Sequence, residues 1–260
     1  MSMPVPVPVL ARDSLNFFRN QLMSVLIISL LTAAVTVGLN VLLTWNSNGL
    51  ALIRALETTY ATEGSGGFQR AVATLTSDDQ WQMLKTGLGT IFSSLLGNAV
   101  FVTAMIFLIF SASQGQSVSA LQAITGSAGR IPRMLVLLLI CSLVIALGLV
   151  AMYLPGLILA MLLALAPIIM FTEKNSVFTA IKISGNIALK NIRVLLPSIL
   201  IWFALKQASV VFLSKLPIAN EHILMTLILF INNVISGLVI IYLFRFYQLF
   251  TQSQSVSDYQ

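Results

Sequence analysis

A lysine accompanied by several amides is the place in this sequence where buried polar chemistry is predicted. Lys206 stands inside an apolar run of membrane-spanning length, and Gln207 is adjacent to it. Asn98, Asn232 and Asn233 fall at similar depths in two other apolar runs. An ionisable residue within a span is costly and marks a candidate site, and amide carbonyls can accept hydrogen bonds from an ammonium. We therefore predict a ligand-binding cluster here. The alternative is that the amides hold helices together and the lysine extends toward the headgroups.

A second set of polar residues recurs with helical spacing. Four positions repeat at an offset of 60 residues: Gln122 and Lys182, Gly126 and Asn186, Arg130 and Lys190, Arg133 and Arg193. The last three positions recur near the start of the chain as Arg12, Asn16 and Arg19. This spacing places each set on one face of a helix. On the opposite face we expect apolar residues: Val118, Leu121 and Ile131 in one copy, and Val177, Ile181, Ala188 and Ile192 in the next.

The repeated pattern predicts amphipathic helices that lie in the headgroup layer and attract anionic lipid. We call its basic members the basic stripe: Arg12, Arg19, Arg130, Arg133, Lys182, Lys190 and Arg193. The alternative is that any cytoplasmic loop carries lysine and arginine close to the membrane, which accounts for Arg19, Arg133 and Arg193 alone. Whether the offset reflects internal duplication stays open.

These residues must be positioned by membrane-spanning helices. The 260 residues are 58% hydrophobic and 8% charged, and their mean hydropathy is +0.96. A soluble domain has about 45–50% apolar and about 25% charged residues. The composition predicts an all-α integral membrane protein, a single polytopic domain over residues 1–260. Six spans are expected, at residues 22–44, 87–111, 134–153, 157–171, 194–214 and 223–244.

The loops predict how the spans are joined. We expect three hairpin-like pairs, with Pro155 and Gly156 forming the turn between the third and fourth spans. In the long outer loop, residues 45–86, Ser77 and Gln80 resemble a capping box at the start of a helix that runs into the second span. Within that span Gly89, Ser93 and Gly97 form a small-residue face that predicts close helix packing.

The distribution of lysine and arginine predicts the orientation. Nine of the 14 basic residues, Lys174 among them, fall on the side of the two termini, and four fall on the other side. The side that holds the termini and the nine basic residues is expected to be cytoplasmic, with the loop of residues 45–86 in the periplasm. The net charge of +6 is then mostly a sign of orientation and does not predict nucleic-acid binding.

The predicted spans contain no aspartate, glutamate or histidine, which disfavours pumps driven by a buried carboxylate. The chain has one cysteine, Cys141, and one histidine, His222, too few for a disulfide or a structural zinc site. With no nucleophile–base pair and no glycine-rich phosphate motif, we expect no enzyme, no cofactor and no metal.

Four segments resemble one family: DSLNFFRNQ (residues 13–21), SVSALQAI (117–124), PGLILAMLLALAP (155–167) and IYLFRFY (241–247). They are similar to the YciC family of enterobacterial multi-pass inner-membrane proteins. The resemblance implies about six helices and the inner membrane of a Gram-negative bacterium, and it supplies no catalytic or binding residue.

We therefore expect a non-enzymatic inner-membrane protein, with membrane lipids as partners, that interacts with lipid or assists envelope homeostasis. The alternative is a small uniporter, channel or permease whose site at the bilayer midplane includes Lys206. The sequence does not identify a protein partner.

Overall fold

The structure is a computed structural model, and it describes residues 7–173 and 175–257. Lys174, counted above among the basic residues, lies outside the described residues, as do the two chain ends. The first helices are α1 (Val7–Asn20), α2 (Leu22–Leu43), α3 (Gly49–Ala73), α4 (Ser77–Ser113) and α5 (Ala120–Ser127). After a 3-10 turn at Ala128–Arg130 come α6 (Ile131–Ala151), α7 (Tyr153–Leu163), α8 (Ala166–Glu173), α9 (Val177–Lys190), α10 (Ile192–Leu213) and α11 (Glu221–Ser257).

Within the residues that the structure describes, six helical segments are long and apolar enough to cross a membrane. They are Leu22–Leu43, Ser77–Ser113, Ala120–Ala151, Leu154–Glu173, Ile192–Leu213 and Glu221–Ser253. The prediction of an all-helical protein with six spans is confirmed. Several helices extend beyond the predicted spans, because a helix continues into the headgroup layer and water after its apolar stretch ends.

The chain divides into two compact units. The small unit comprises Val35–Gly97, and the large unit comprises the described residues up to Ala34 and from Asn98 onward. The core of the large unit contains bulky side chains that are fully buried, among them Phe101, Phe244 and Phe246.

In the small unit, the end of α2 packs against the first half of α4 through small residues. A Cβ added at Gly97 would collide with the side chain of Thr36, and Ser93 is fully buried. The Nδ2 of Asn40 donates to Thr90 Oγ1 at 3.0 Å and to Ser93 Oγ at 3.3 Å. The predicted role of this face in close helix packing is confirmed.

The capping box of α4 lies one residue earlier than the sequence analysis placed it. The Thr76 backbone N–H donates to Asp79 Oδ2 at 3.0 Å, and the Asp79 N–H donates to Thr76 Oγ1 at 3.2 Å. The prediction that Ser77 and Gln80 form the capping box was therefore wrong. A carboxylate accepts from both the backbone and the hydroxyl of Thr76, which favours this register. The helix does continue into the second span, as predicted.

In the large unit, α6 and α7 form the expected hairpin, but the turn lies elsewhere. The chain reverses at Met152, which has extended backbone angles (φ −166°, ψ 147°), and Pro155 and Gly156 belong to the first turns of α7. Their assignment as the turn was wrong. A Cβ added at Gly148 would lie 2.9 Å from Gly156 Cα. Gly156 therefore lets the two helices approach closely.

The fourth span is interrupted between α7 and α8. Pro167 lacks a backbone N–H, and its ring clashes with the carbonyl four residues earlier, so the helix breaks just before it. Ser184 of α9, fully buried, donates from Oγ to the carbonyl of Leu162 at 2.6 Å. A side chain thus satisfies a carbonyl at the break, as an apolar environment requires.

The three amphipathic helices α1, α5 and α9 bury narrow faces that consist mostly of small residues. The buried positions are Leu10 and Ser14 in α1, Ala120, Ala123 and Ser127 in α5, and Ala180, Ser184, Ile187 and Ala188 in α9. Two residues of the expected apolar face, Leu121 and Ile192, are 63% and 39% exposed. The sequence pattern identified the face away from the charges, but in a membrane protein an exposed apolar residue can contact lipid.

Close packing at Gly97 predicts a measurable overpacking penalty. We expect Gly97→Ala to lower the free energy of unfolding by about 1–3 kcal/mol, because its methyl group collides with the short, branched side chain of Thr36. Thermal unfolding of the purified protein in detergent measures the change. Gly87→Ala is the matched control, since a Cβ there meets nothing within 4 Å. Adding Thr36→Ala to Gly97→Ala should restore stability. If Gly97→Ala and Gly87→Ala are equally stable, the close packing of Gly97 against Thr36 is contradicted.

Candidate functional site

A cavity of about 260 Å³ lies inside the large unit around Lys206. Its walls come from α4, α6, α7, α8, α10 and α11, and most of the lining side chains are apolar. The break before Pro167 contributes to this space, because Leu163, Ala164 and Pro167 all line it. The cavity therefore forms where one helix of the bundle is interrupted.

Within this cavity, Lys206 lies beside an aromatic ring. Its Nζ is 4.9 Å from the ring centroid of Trp202, a distance that permits a cation–π interaction. Trp202 is itself fixed, because its Nε1 donates to Ser236 Oγ at 3.2 Å. Ser236 donates in turn to the carbonyl of Asn232 at 2.8 Å. A chain of contacts from α11 thus positions the ring that faces the ammonium.

The structure does not bring the predicted amide cluster together in one site. Asn98 lines the same cavity as Lys206. Asn232 is buried next to the cavity, where its Oδ1 accepts from Ser209 at 3.4 Å and its Nδ2 donates to its own helix. Asn233 faces α2 and donates to Thr32 Oγ1 at 3.0 Å. Gln207 is exposed and does not line the cavity. Only Asn98 and Lys206 share the site.

The basic stripe lies on the exposed sides of its helices. All seven of its side chains are exposed. Arg130 and Arg133 also have contacts within the protein. The Arg130 guanidinium is 4.0 Å from the ring centroid of Phe171, and Arg133 donates to the carbonyl of Asn175.

A polar network links the ends of α6, α8 and α11 close to these arginines. Asn175 donates from Nδ2 to Glu173 Oε2 at 2.6 Å, and the Tyr247 hydroxyl donates to the other oxygen of the same carboxylate. Glu173 and Tyr247 also line a depression of about 250 Å³ together with Lys190. Glu173 thus brings acidic charge to a surface that is otherwise basic.

Helix α1 is held to α11 by a second arginine contact. Arg245 Nε lies 3.4 Å from Asp13 Oδ2, and the guanidinium carbon is 5.0 Å from the Phe17 ring centroid. The Arg245 side chain is only 25% exposed. The helix that carries Arg12 and Arg19 is therefore fixed to the bundle through a partly buried cation.

Comparison with known proteins identifies the family. The sequence model described as "Uncharacterised protein family (UPF0259)" matches residues 3–249. The chain belongs to the UPF0259 family. A UPF0259 membrane protein of Photorhabdus laumondii is 40% identical over 255 residues, covering 98% of this chain and 100% of that protein. One from Serratia proteamaculans is 40% identical over 247 residues, covering 95% of this chain and 99% of its own length.

A Yersinia pestis relative, also named a UPF0259 membrane protein, is 36% identical over 247 residues, 95% of this chain and 96% of that protein. No solved structure matches. Membership of an uncharacterised family of enterobacterial membrane proteins, expected from the four sequence segments, is confirmed under the name UPF0259. The protein is a multi-pass membrane protein whose relatives come from Gram-negative bacteria.

Two of the segments that suggested the family meet in the UPF0259 structure. Asp13 and Phe17 belong to the first segment and Arg245 belongs to the last, and Arg245 of α11 contacts both side chains of α1. Neither this contact nor the network at Glu173 and Tyr247 was predicted from the sequence. The signal available was the position of single charges at span ends, which does not identify their partners.

Metal-binding side chains are not clustered in the part of the chain that the structure describes. Within residues 7–173 and 175–257, no group of three or more histidine, cysteine, aspartate or glutamate residues lies together. The absence of a metal or cofactor remains a prediction from the sequence.

The Arg245 contacts predict that α1 depends on this residue for its attachment. We expect Arg245→Ala to lower stability by about 1–2 kcal/mol, because it removes a partly exposed ion pair, a cation–π contact and the packing of the side-chain stem. It should also expose α1 to proteolysis, measured by the rate of cleavage in detergent. Arg12→Ala, at an exposed position of α1, is the control. An unchanged cleavage rate in Arg245→Ala would refute the proposed attachment.

Proposed function

We propose that this UPF0259 protein is a non-enzymatic protein of the bacterial inner membrane that binds anionic lipid at its cytoplasmic surface, in lipid handling or envelope homeostasis. The observation that supports this role most strongly is the exposure of all seven basic-stripe side chains, which lie on α1, α6, α9 and α10 and on the 3-10 turn before α6. Lysine and arginine near an anionic leaflet are attracted to it, by about 1 kcal/mol each.

The exposed apolar residues beside the basic stripe also favour contact with lipid. On α9, Phe178 and Leu189 are 74% and 58% exposed and lie on the same side of the helix as Lys182. On α1, Val9 and Leu15 are about half exposed and flank Arg12. A helix with exposed apolar and basic residues side by side fits the boundary between headgroups and acyl chains. Exposing these apolar side chains to water alone would be unfavourable.

The stripe residues differ in how directly they serve this role. Arg130 and Arg133 contact Phe171 and Asn175, so replacing them would also disturb the ends of α6 and α8. Lys182, Lys190 and Arg193 extend from α9 and the start of α10 and are exposed. These three residues therefore provide the cleaner test of lipid binding.

Removing three stripe charges should weaken lipid binding. We expect the triple variant Lys182→Gln, Lys190→Gln, Arg193→Gln to bind phosphatidylglycerol about tenfold to a hundredfold more weakly than wild type, given about 1 kcal/mol for each charge. Native mass spectrometry of the detergent-solubilised protein, titrated with this lipid, measures the bound fraction.

The matched control removes the same charge from the opposite side of the predicted topology, by replacing Arg54, Arg70 and Lys215 with glutamine. It should retain lipid almost as well as wild type. Equal loss in both triple variants would mean that net charge, and not the stripe, determines binding. No loss in either would contradict a lipid site at the stripe.

The orientation is part of the proposal and has its own test. Both termini and the basic stripe are placed in the cytoplasm because lysine and arginine accumulate there. The natural protein has one cysteine, so a Cys141→Ser background permits single-cysteine labelling. In spheroplasts, a membrane-impermeant maleimide should modify Ser65→Cys in α3 and should modify Lys190→Cys only after permeabilisation. Labelling of Lys190→Cys in sealed spheroplasts would invert the topology.

A second candidate function is a small uniporter, channel or permease. The cavity at Lys206 favours it, because an ionisable residue facing a cavity within the membrane commonly marks a transport pathway. The mostly apolar lining limits the kind of molecule that this cavity suits.

A further inference from the structure

We propose that the Lys206 cavity binds a single-chain amphiphile with an anionic head, such as a long-chain carboxylate. The ligand's head would lie at Lys206, and its chain would extend along the apolar wall. The proposal uses the cavity of the second candidate function but holds whether or not the ligand is carried across the membrane. It is independent of lipid binding at the basic stripe.

Polar groups lie at one end of the cavity. Helices α10 and α11 are antiparallel, since Ser209 bonds to Asn232 whereas Trp202 bonds to Ser236. Lys206 and Ser236 therefore lie at similar heights, and Asn98 of α4 lines the same space. We call Asn98, Lys206 and Ser236 the polar end.

The other end is apolar. Ile199 of α10 and Leu243 of α11 lie about two helical turns, ~10 Å, beyond the polar end along their own helices. Leu138 of α6 adds to the same wall. We call Leu138, Ile199 and Leu243 the apolar end. A cavity with an amide, a hydroxyl and an ammonium at one end and aliphatic side chains at the other matches the polarity of an amphiphile.

The charge of the polar end favours an anion. Lys206 contributes a basic group, and among the described residues that line the cavity none carries a carboxylate. The contact described for its ammonium is the Trp202 ring, which offers an attractive face but accepts no strong hydrogen bond. A carboxylate head would supply that acceptor, and the amide group of Asn98 could donate to one of its oxygens.

The cavity volume favours a single chain. At about 260 Å³ it lies just below the range of ~300–1,000 Å³ typical of small-molecule sites. A two-chain phospholipid would not enter it. A short cavity fits the head and the first part of one acyl chain, with the remainder in the surrounding bilayer.

The position of Trp202 provides a direct assay. The chain has three tryptophans, and replacing Trp45 and Trp81 with phenylalanine leaves Trp202 as the single reporter in the cavity. Full-length protein in nanodiscs of neutral phosphatidylcholine is titrated with dibromostearate, whose bromines quench tryptophan on contact. We expect saturable quenching that becomes at least tenfold weaker in apparent affinity with Lys206→Met and is unchanged with Lys215→Met, an exposed control.

Two further arms separate the head from the chain. Dibromostearyl alcohol, which has no charge, should quench wild type and Lys206→Met with equal affinity. Ala160→Phe, which fills the cavity wall, should abolish saturable quenching by both probes while thermal unfolding shows a folded protein. Displacement of the probe by lysophosphatidylglycerol would assign a general anion site, and resistance to it would assign carboxylate selectivity; either result supports the proposal.

Quenching that grows linearly with probe concentration and ignores both Ala160→Phe and Lys206→Met would overturn the proposal, because it would report partition into the bilayer. The stripe variant with Lys182, Lys190 and Arg193 replaced by glutamine should retain full quenching. This result keeps a failure of the cavity site distinguishable from a failure of the stripe.

Discussion

Hydrocarbon offers no hydrogen-bond partner to a backbone amide, and this constraint determines the form of the whole chain. It restricts the spans to helices and makes each interruption of a helix depend on a local substitute partner. The break before Pro167 shows how the constraint is met. Pro167 lacks the backbone donor that would reach the carbonyl of Leu163, and at the same break the hydroxyl of Ser184, from the neighbouring α9, donates to the carbonyl of Leu162. Leu163, Ala164 and Pro167 also line the cavity beside Lys206. The interrupted helix therefore helps to form the cavity, and α9 supplies one hydrogen-bond donor at the break.

Association of the helices relies on shape, since lipid tails are as apolar as the side chains that would be buried. Glycine appears where two helices approach most closely: Gly97 against Thr36 in the small unit, and Gly148 against Gly156 in the α6–α7 hairpin. Polar pairs such as Asn233 with Thr32 then fix which helix faces which. Large aliphatic residues remain on the outside of α6 and α10 without contradiction. Exposure of leucine and valine, a liability in water, is ordinary for a surface covered by acyl chains.

The sequence was sufficient for what depends on composition and periodicity. Six helices of spanning length, and the small-residue face of α4, follow from hydropathy and residue size alone. The sequence was insufficient where the contact partner of a side chain depends on its exact position around the helix. Asn232 and Asn233 are neighbours in sequence but lie 100° apart around α11, so one bonds to α10 and the other to α2. The pattern places Leu121 on the side of its helix opposite the charges, and it cannot say whether lipid or protein covers that side. Asp13 and Arg245 are separated by most of the chain, and no local pattern joins them.

The two candidate sites place positive charge in opposite environments, and this explains why they contain different numbers of basic residues. At the surface, a lysine or arginine keeps most of its hydration, so its individual contribution to the proposed lipid binding would be small and several would be needed; the basic stripe has seven exposed side chains. Inside the apolar cavity one cation is expensive to maintain, and a single Lys206 beside Trp202 would be enough for the proposed selection of an anion. A protein that exchanged these arrangements, with one surface arginine and several buried lysines, would bind lipid weakly at its surface and fold poorly in its core. The distribution of charge found here is the one that a lipid environment permits.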